Sequence, residues 1–324
     1  VRSSAASDVY KRQGRGRVLQ HPHLPAEGRG VEAGPVSAVV GRFAPSPSGR
    51  LHLGNLACSL LAWLSARSRG GRIVLRIEDL DAERCPRKYA DQLEEDLGWL
   101  GLFWDEGGSK GGPHEPYYQS ECSGIYTESY KKLEAMGLVY PCFCSRSQLH
   151  AASAPHTSDG NVIYPGTCRG LTAEEIAEKW KKKAPAYRLM VPDENISFTD
   201  GCMGEHTENL LRDCGDFYLR RADGVFAYQL AVVVDDARMG VTEVVRGADL
   251  LSSTARQLYL YRLLGLPAPK FTHCPLLLAS DGRRLSKRDG DQSLENLRAR
   301  YTAEAIACLL YTSPSPRAGL LSRM

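Results

Sequence analysis

One short junction constrains the fold more than any other stretch: the segment Gly41–Asn55, GRFAPSPSGRLHLGN. A strand-like run, SAVVGRFA, leads into its prolines, and a helical run, LACSLLAWLSA, follows it. Proline and glycine interrupt regular elements, so the segment indicates a strand, a loop and then a helix. Free N–H groups and the helix dipole make such a helix start suitable for an anion. An ordinary tight strand–helix connection would give the same pattern.

The same order of strand and helix recurs along the chain. GRIVLRIEDLD (71–81) is typical of a buried strand ending in acids, and helices are predicted after Pro86 and up to about Gly137. A looser region with cysteines, a helix with a Thr172/Glu175 capping box and short strands follows. The strand–helix pattern returns at VFAYQLAVVVDDARMGVTEVVRGADLL. We therefore expect an α/β fold whose parallel sheet is interrupted by an insertion.

This organisation predicts boundaries along the 324 residues. The first half of the catalytic domain is expected at 36–121, the insertion at 122–221 and the second half at 222–307. The ends resemble cloning sequence rather than protein: DVYKRQ translates GATGTGTATAAGAGACAG, a transposase adapter strand, and CLLYTS translates its reverse complement. We therefore expect residues 1–35 to be a disordered leader containing adapter sequence, residues 308–324 to be non-native, and the native C-terminus to be missing.

Composition excludes some classes of protein. Apolar residues make up 43% and charged residues 24% of the chain, as in globular proteins, and no apolar run approaches the roughly 20 residues of a membrane span. No secretory signal is evident, so we expect a cytoplasmic protein. Ten cysteines then indicate thiols or metal ligands rather than disulfides. The formal charge of +3 neither requires nor excludes a nucleic-acid partner.

Two loops carry candidate phosphate chemistry. In HLGN, His52 can donate to a phosphate and Gly54 can admit a nucleotide against the backbone; alternatively, the histidine only caps the helix. In GRRLSKRDG (282–290), Lys287 offers a compact ammonium suited to a triphosphate; alternatively, the segment is a solvated basic turn. Because loops after parallel strands meet at one edge of the sheet, both are expected to face the same crevice.

Together these loops resemble the paired HIGH and KMSKS signatures of class I aminoacyl-tRNA synthetases. RFAPSPSGRLHLGN, RIEDLD, VVDD, VVRGADLL and LSKR, in this order, are similar to the glutamate-specific branch of that class. The resemblance extends from about Val39 to Ala307. It implies a Rossmann-type catalytic domain that activates L-glutamate with ATP as glutamyl-adenylate, with Mg²⁺ on the nucleotide phosphates, and then transfers glutamate to RNA.

The resemblance also implies roles for individual residues. Two arginines, one acid and a hydroxyl suit the two carboxylates and one ammonium of glutamate, whereas glutamine would leave an arginine poorly paired. The alternative for Glu78 and Arg246 is an internal ion pair. The implied glutamate contacts are Arg42, Phe43, Ala44, Pro45, Ser46, Glu78, Tyr228 and Arg246, and the implied ATP contacts are His52, Gly54, Asn55 and Lys287, with His52 and Lys287 catalytic.

A cysteine pattern predicts a structural zinc site. Cys142 and Cys144 are followed by Cys168, and three thiolates need one more donor to complete a tetrahedron. From spacing alone the fourth donor can be Tyr164, His150 or His156, and unrelated buried thiols remain the alternative to any metal site. C-x-C followed by Y-x-x-x-C is similar to the zinc knuckle of glutamyl-Q tRNA(Asp) synthetases, which implies Tyr164.

That family is the interpretation we adopt, and the segment LRRADGVFAYQLAVVVDDARMGVTEVVRGADLL resembles it too. Its members activate glutamate without tRNA and attach it to queuosine in the anticodon of tRNA(Asp); we expect a monomer with no membrane contact. The nearest rival is a truncated glutamyl-tRNA synthetase that charges tRNA(Glu). A non-catalytic tRNA-binding paralogue is the other rival, but a pure binder has no use for a triphosphate clamp.

Overall fold

The computed structural model describes residues 38–145, 163–277 and 294–312. Its first part alternates strands and helices as the sequence predicts. Proline at position 86 is the N-cap of α2, where its missing N–H costs no helical hydrogen bond. The elements are β1 (Val40–Phe43), α1 (Leu53–Arg67), β2 (Arg72–Leu75), α2 (Arg87–Trp99) and β3 (Glu106–Gly107).

The insertion contains two antiparallel sheets, one built from β4, β5 and β8 and one from the hairpin β6–β7. The predicted capping box of α4 is present: Thr172 accepts a hydrogen bond from the backbone of Glu175, whose side chain accepts one in return. The elements are α3 (Ser123–Ala135), β4 (Val139–Cys142), α4 (Ala173–Lys182), β5 (Ala186–Leu189), β6 (Asn195–Asp200), β7 (Gly204–Asn209) and β8 (Phe217–Arg220).

The last part returns to the parallel sheet. Strand β9 pairs with β10 in parallel, and it lies beside β1, where the Thr242 N–H donates to the Val40 carbonyl over 2.9 Å. The parallel strands thus form two adjacent sheets, β3–β2–β1 and β9–β10, with β9 beside β1, which confirms the predicted α/β class. The elements are α5 (Tyr228–Arg238), β9 (Glu243–Gly247), α6 (Thr254–Leu264), β10 (Lys270–Cys274), α7 (Leu294–Arg298) and α8 (Ala303–Thr312).

Both faces of the parallel sheet are covered by apolar side chains. In β2, Ile73 and Leu75 pack into one cluster with Phe43, whereas Val74 packs into another with Leu230 on α5. A strand buried on both faces has a continuous apolar sequence, which is why the three residues IVL of β2 lack the polar alternation of a surface strand. No helix in the three described ranges is long and apolar enough to cross a bilayer.

A buried cluster of charged side chains connects the end of β2 to α5. The Arg76 side chain is fully buried; it pairs with Asp236 and lies 3.0 Å from Glu78 Oε1, with Asp235 4.0 Å from its Nε. Burial alone would lower the pKa of Arg76, but the carboxylates of Asp236 and Glu78 raise it well above its usual value. The arginine therefore stays charged inside the core.

We predict that Arg76→Met destabilises the fold by about 3–5 kcal/mol, because it leaves buried carboxylates without their counter-charge. The matched control is Arg212→Met, which breaks a surface pair with Asp193 whose side chains are 72% and 53% exposed. That control should cost no more than about 1 kcal/mol. Urea unfolding measures the free energy of unfolding of both variants. Equal losses would show that the buried ion cluster stabilises the fold no more than a surface ion pair does.

Candidate active site

A cleft of about 390 Å³ opens at the carboxyl ends of β1, β2, β9 and β10. It lies where the strand order reverses between β1 and β9, the position at which open α/β sheets bind ligands. Every predicted site residue within the described ranges lines it except the zinc set, and Lys287 lies outside those ranges. The lining includes Arg42, Phe43, Ala44, Pro45, Ser46, His52, Gly54, Asn55, Glu78, Tyr228 and Arg246.

His52 caps α1 and lines the cleft as well. Its Nδ1 accepts from the Asn55 N–H, and its own N–H donates to Asn55 Oδ1, each over 3.4 Å. The capping alternative therefore holds, but it does not remove His52 from the cleft. A Cβ on Gly54 would lie 3.1 Å from Cε1 of the His52 ring. Glycine here makes room for the histidine, a reason that the sequence did not suggest.

Arg42 bridges the two halves of the sheet. Its side chain is buried, its Nη1 donates to the Val245 carbonyl over 3.1 Å, and its Nε lies 3.8 Å from Asp236 Oδ1. These contacts fix the guanidinium on the floor of the cleft.

Glu78 is held by an internal ion pair, as the structural alternative predicted, yet it also faces the cleft. Burial raises the pKa of Glu78, although Arg76 and Arg42 oppose that shift. Tyr228 lies close by, and its pKa is raised by burial and then by the charge of Glu78. A cationic group in the cleft would lower the pKa of Glu78 again, since an opposite charge favours the ionised carboxylate.

Arg246 differs from Arg76, because the described residues provide it with hydrogen-bond acceptors but no ion pair. Its guanidinium donates to His273 Nε2 over 2.9 Å, to Gln257 Oε1 over 2.8 Å, and to Thr254 Oγ1 over 2.9 Å. It is only 4% exposed, and burial lowers its pKa. The ion-pair alternative is therefore not found for Arg246. A buried cation that lines a cleft without a carboxylate partner is a ready counter-charge for an anionic ligand.

Sequence reasoning missed several residues that shape this cleft. Arg76 and Asp236 lie within the motifs RIEDLD and VVDD. Their position directly after apolar runs could have indicated that these charged residues are buried. Asp200 and His273 are hydrogen-bonded although they lie 73 positions apart. No local pattern links them, so only the fold reveals this contact.

The predicted metal ligands come together in the insertion. The sulfurs of Cys142, Cys144 and Cys168 lie within 4.8 Å of one another, and those of Cys144 and Cys168 are 3.6 Å apart. The Tyr164 hydroxyl lies 3.6 Å from Cys142 Sγ and 3.9 Å from Cys144 Sγ. A zinc–sulfur tetrahedron with bonds of about 2.3 Å has edges of about 3.8 Å, so this donor set fits such an ion. The rival donors His150 and His156 lie outside the described residues.

Arg188 supports the cysteine cluster. Its guanidinium lies 3.7 Å from the centres of both the Tyr164 and Tyr218 rings, and its Nε donates to Cys142 Sγ over 3.3 Å. Burial would raise the pKa of Cys142, but Arg188, together with hydrogen bonds from Tyr164 and the Cys144 backbone, lowers it. The positive charge thus favours the thiolate, the form that binds metal.

Comparison with known families agrees with the fold. Residues 38–306 match the family described as tRNA synthetases class I (E and Q), catalytic domain. A solved glutamate tRNA ligase from Elizabethkingia meningosepticum is similar to this chain with a TM-score of 0.73 and 31% identity, over 85% of this chain. The match covers 61% of that ligase, so this chain spans about three fifths of its length.

Curated relatives identify the branch of this family to which the chain belongs. The chain is 56% identical over 267 residues to the Glutamyl-Q tRNA(Asp) synthetase of Symbiobacterium thermophilum, covering 81% of this chain and 82% of that protein. It is 54% identical to the protein of the same name from Nitratidesulfovibrio vulgaris, covering 79% of each. The chain therefore belongs to the class I tRNA synthetases for glutamate and glutamine and, within them, to the glutamyl-Q tRNA(Asp) synthetase family, as its motifs predicted. Enzymes of this class are ligases.

Proposed function

We propose that this chain activates L-glutamate with ATP in the cleft, without tRNA, and then transfers the glutamyl group to queuosine in the anticodon of tRNA(Asp). The observation that carries the first step is Arg246, a buried guanidinium that lines the cleft and has only neutral acceptors among the described residues. The family of the chain and the names of its curated relatives support the acceptor.

The charges of the cleft fit glutamate. Arg42 and Arg246 offer two guanidinium groups to two carboxylates, and Glu78 offers its carboxylate to the α-ammonium. Tyr228 adds a hydroxyl that burial keeps protonated. Glutamine would replace one carboxylate with a neutral amide and leave a buried arginine without a counter-charge, so the cleft should discriminate against it.

Activation needs positioning and charge stabilisation rather than a covalent enzyme intermediate. The α-carboxylate of glutamate attacks the α-phosphorus of ATP, the bond to the bridging oxygen breaks, and pyrophosphate leaves. His52, at the start of α1, and Lys287, in the basic loop, are assigned to the charge that develops on the phosphates. Mg²⁺ bound with ATP would supply charge neutralisation at the phosphates.

The acceptor of the glutamyl group in the second step is a diol. The cyclopentene-diol of queuosine resembles the ribose diol of a terminal adenosine, so the same acyl-transfer chemistry serves either acceptor. One hydroxyl oxygen attacks the glutamyl carbonyl, its proton is lost, and AMP leaves. We further propose that the protein acts as a cytoplasmic monomer.

The cysteine cluster is proposed to hold one structural zinc ion through Cys142, Cys144, Tyr164 and Cys168. Three sulfurs and a phenolic oxygen would supply all four donors of such an ion, the closed donor set typical of structural rather than catalytic zinc. Its role would be to fix the loop after β4 against the rest of the insertion.

For zinc, we predict about one ion per chain by metal analysis of freshly purified protein. Cys144→Ser should lose most of it, because a thiolate ligand is removed. Cys214→Ser, which changes a buried thiol outside the cluster, should keep it. Zinc-free wild-type protein would contradict the site. Full zinc retention by Tyr164→Phe would instead favour His150 or His156 as the fourth ligand.

For activation, we predict glutamate-dependent exchange of pyrophosphate into ATP with no RNA added. Arg246→Gln should lower kcat/KM for glutamate at least roughly 30-fold, the scale of losing one partner of a buried charge pair. Arg256→Gln is the matched control, because Arg256 donates to backbone carbonyls and does not line the cleft. In the same assay, Lys287→Ala should slow exchange by roughly 10²-fold. Unchanged exchange in Arg246→Gln would refute the glutamate site.

For the acceptor, labelled glutamate should be transferred to tRNA(Asp) from queuosine-containing cells. It should not be transferred to tRNA(Asp) from cells unable to make queuosine, nor to tRNA(Glu). Periodate cleaves cis-diols and should abolish acceptance, and restoring the 3′-terminal adenosine alone should not rescue it. Efficient charging of unmodified tRNA(Glu) would establish the glutamyl-tRNA synthetase rival.

A further inference from the structure

A buried row of three polar side chains ends at the cleft. Asp200, the last residue of β6, lies with its Oδ2 2.6 Å from His273 Nδ1, and His273 Nε2 lies 2.9 Å from Arg246 Nε. All three side chains are buried, and His273 has no exposed surface. His273 and Arg246 are direct neighbours across the parallel pair β9–β10. The row therefore links the insertion to the cleft.

The neighbours of His273 dictate which ring nitrogen carries the proton. Arg246 Nε carries a hydrogen and no lone pair, so His273 Nε2 must accept. The Nδ1 must then carry the proton and donate to the Asp200 carboxylate. Burial and the charge of Arg246 lower the pKa of His273 to about 4, so the ring is neutral at neutral pH. Burial opposes ionisation of Asp200, but hydrogen bonds from His273 and the backbone lower its pKa to about 2.

This arrangement orients Arg246 without neutralising it. A carboxylate in direct contact would cancel the charge of the guanidinium, whereas a neutral imidazole fixes its Nε and leaves the charge for a ligand. We propose that Asp200 and His273 are positioning residues for Arg246, and that the Nδ1–H tautomer held by Asp200 sets the preference of the cleft for a side-chain carboxylate over an amide. The preference for glutamate rests on the proposed function, whereas the tautomer does not.

The Asp200 environment provides a sharp test. Its Oδ1 accepts the backbone N–H groups of Cys202, Met203 and His273 over 3.0, 2.9 and 3.1 Å. In Asp200→Asn the amide oxygen must occupy that position, so the amide NH₂ faces His273 Nδ1. The ring then accepts at Nδ1 and carries its proton on Nε2, which opposes the Arg246 Nε–H. A nearly isosteric change thus reverses the tautomer.

Kinetics test the effect on the cleft. In pyrophosphate exchange, Asp200→Asn should raise KM for glutamate roughly tenfold or more, the scale of losing a hydrogen bond to a charged group. The KM for ATP should stay within about threefold of wild type, and discrimination against glutamine should fall. Asp193→Asn is the control: it lies in the same insertion, is 53% exposed and accepts from Asn209 and Arg212.

Imidazole ¹⁵N spectra test the tautomer without relying on activity. The His273 signals, assigned by their loss in His273→Gln, should show Nδ1–H in wild type and Nε2–H in Asp200→Asn. An Nε2–H tautomer in wild type would overturn the proposal even if Asp200→Asn fails to fold. A reversed tautomer with unchanged glutamate KM would overturn the role in selectivity. Wild-type protein without glutamate-dependent exchange would refute the proposed function and that selectivity, while the spectra would still decide the tautomer.

Discussion

The contact between β1 and β9 is the constraint on which the cleft depends. These strands lie about 200 positions apart in the sequence, yet the Thr242 N–H donates to the Val40 carbonyl and Arg42 donates to the Val245 carbonyl across the junction. The two halves of the parallel sheet meet there, and their carboxyl ends diverge to leave a crevice. Glu78, which follows β2 in the sequence, and Arg246, which lies in β9, both line this crevice. They do so because the junction places β2 and β9 on either side of β1.

Two buried arginines near the junction show how burial can serve either folding or binding. Arg76 is surrounded by carboxylates that stabilise its charge, so it connects β2 to α5. Arg246 is oriented by neutral acceptors, and its charge is left for the cleft. A buried charge without a partner costs stability in a folded protein unless something offsets it. In the proposed function a ligand carboxylate offsets it, and the same type of side chain then has two roles.

Much of this architecture could be predicted from the sequence. The apolar run IVL and the capping signals define β2 and α4 locally, and residues that follow parallel strands necessarily meet at one edge of the sheet. Cysteine spacing predicted a cluster that the structure brings together. The contact between Asp200 and His273 could not be predicted, because it joins the insertion hairpin to β10 and has no periodic pattern. The role of Lys287 remains a sequence-based prediction.

The close approach of the insertion to β10 has a thermodynamic consequence. Gly201 donates to the Phe271 carbonyl over 2.9 Å, and a Cβ at this position would lie 2.4 Å from Thr272 Oγ1, so the Thr272 side chain occupies the space that a side chain at position 201 would need. Asp200 is anchored at this seam. A macromolecule that binds the insertion and shifts β6 would change the affinity of the cleft for the small substrate. By reciprocity, the small substrate would change the affinity for that macromolecule by the same factor. Under the proposed function, the contact at Gly201 would therefore couple the two binding events energetically.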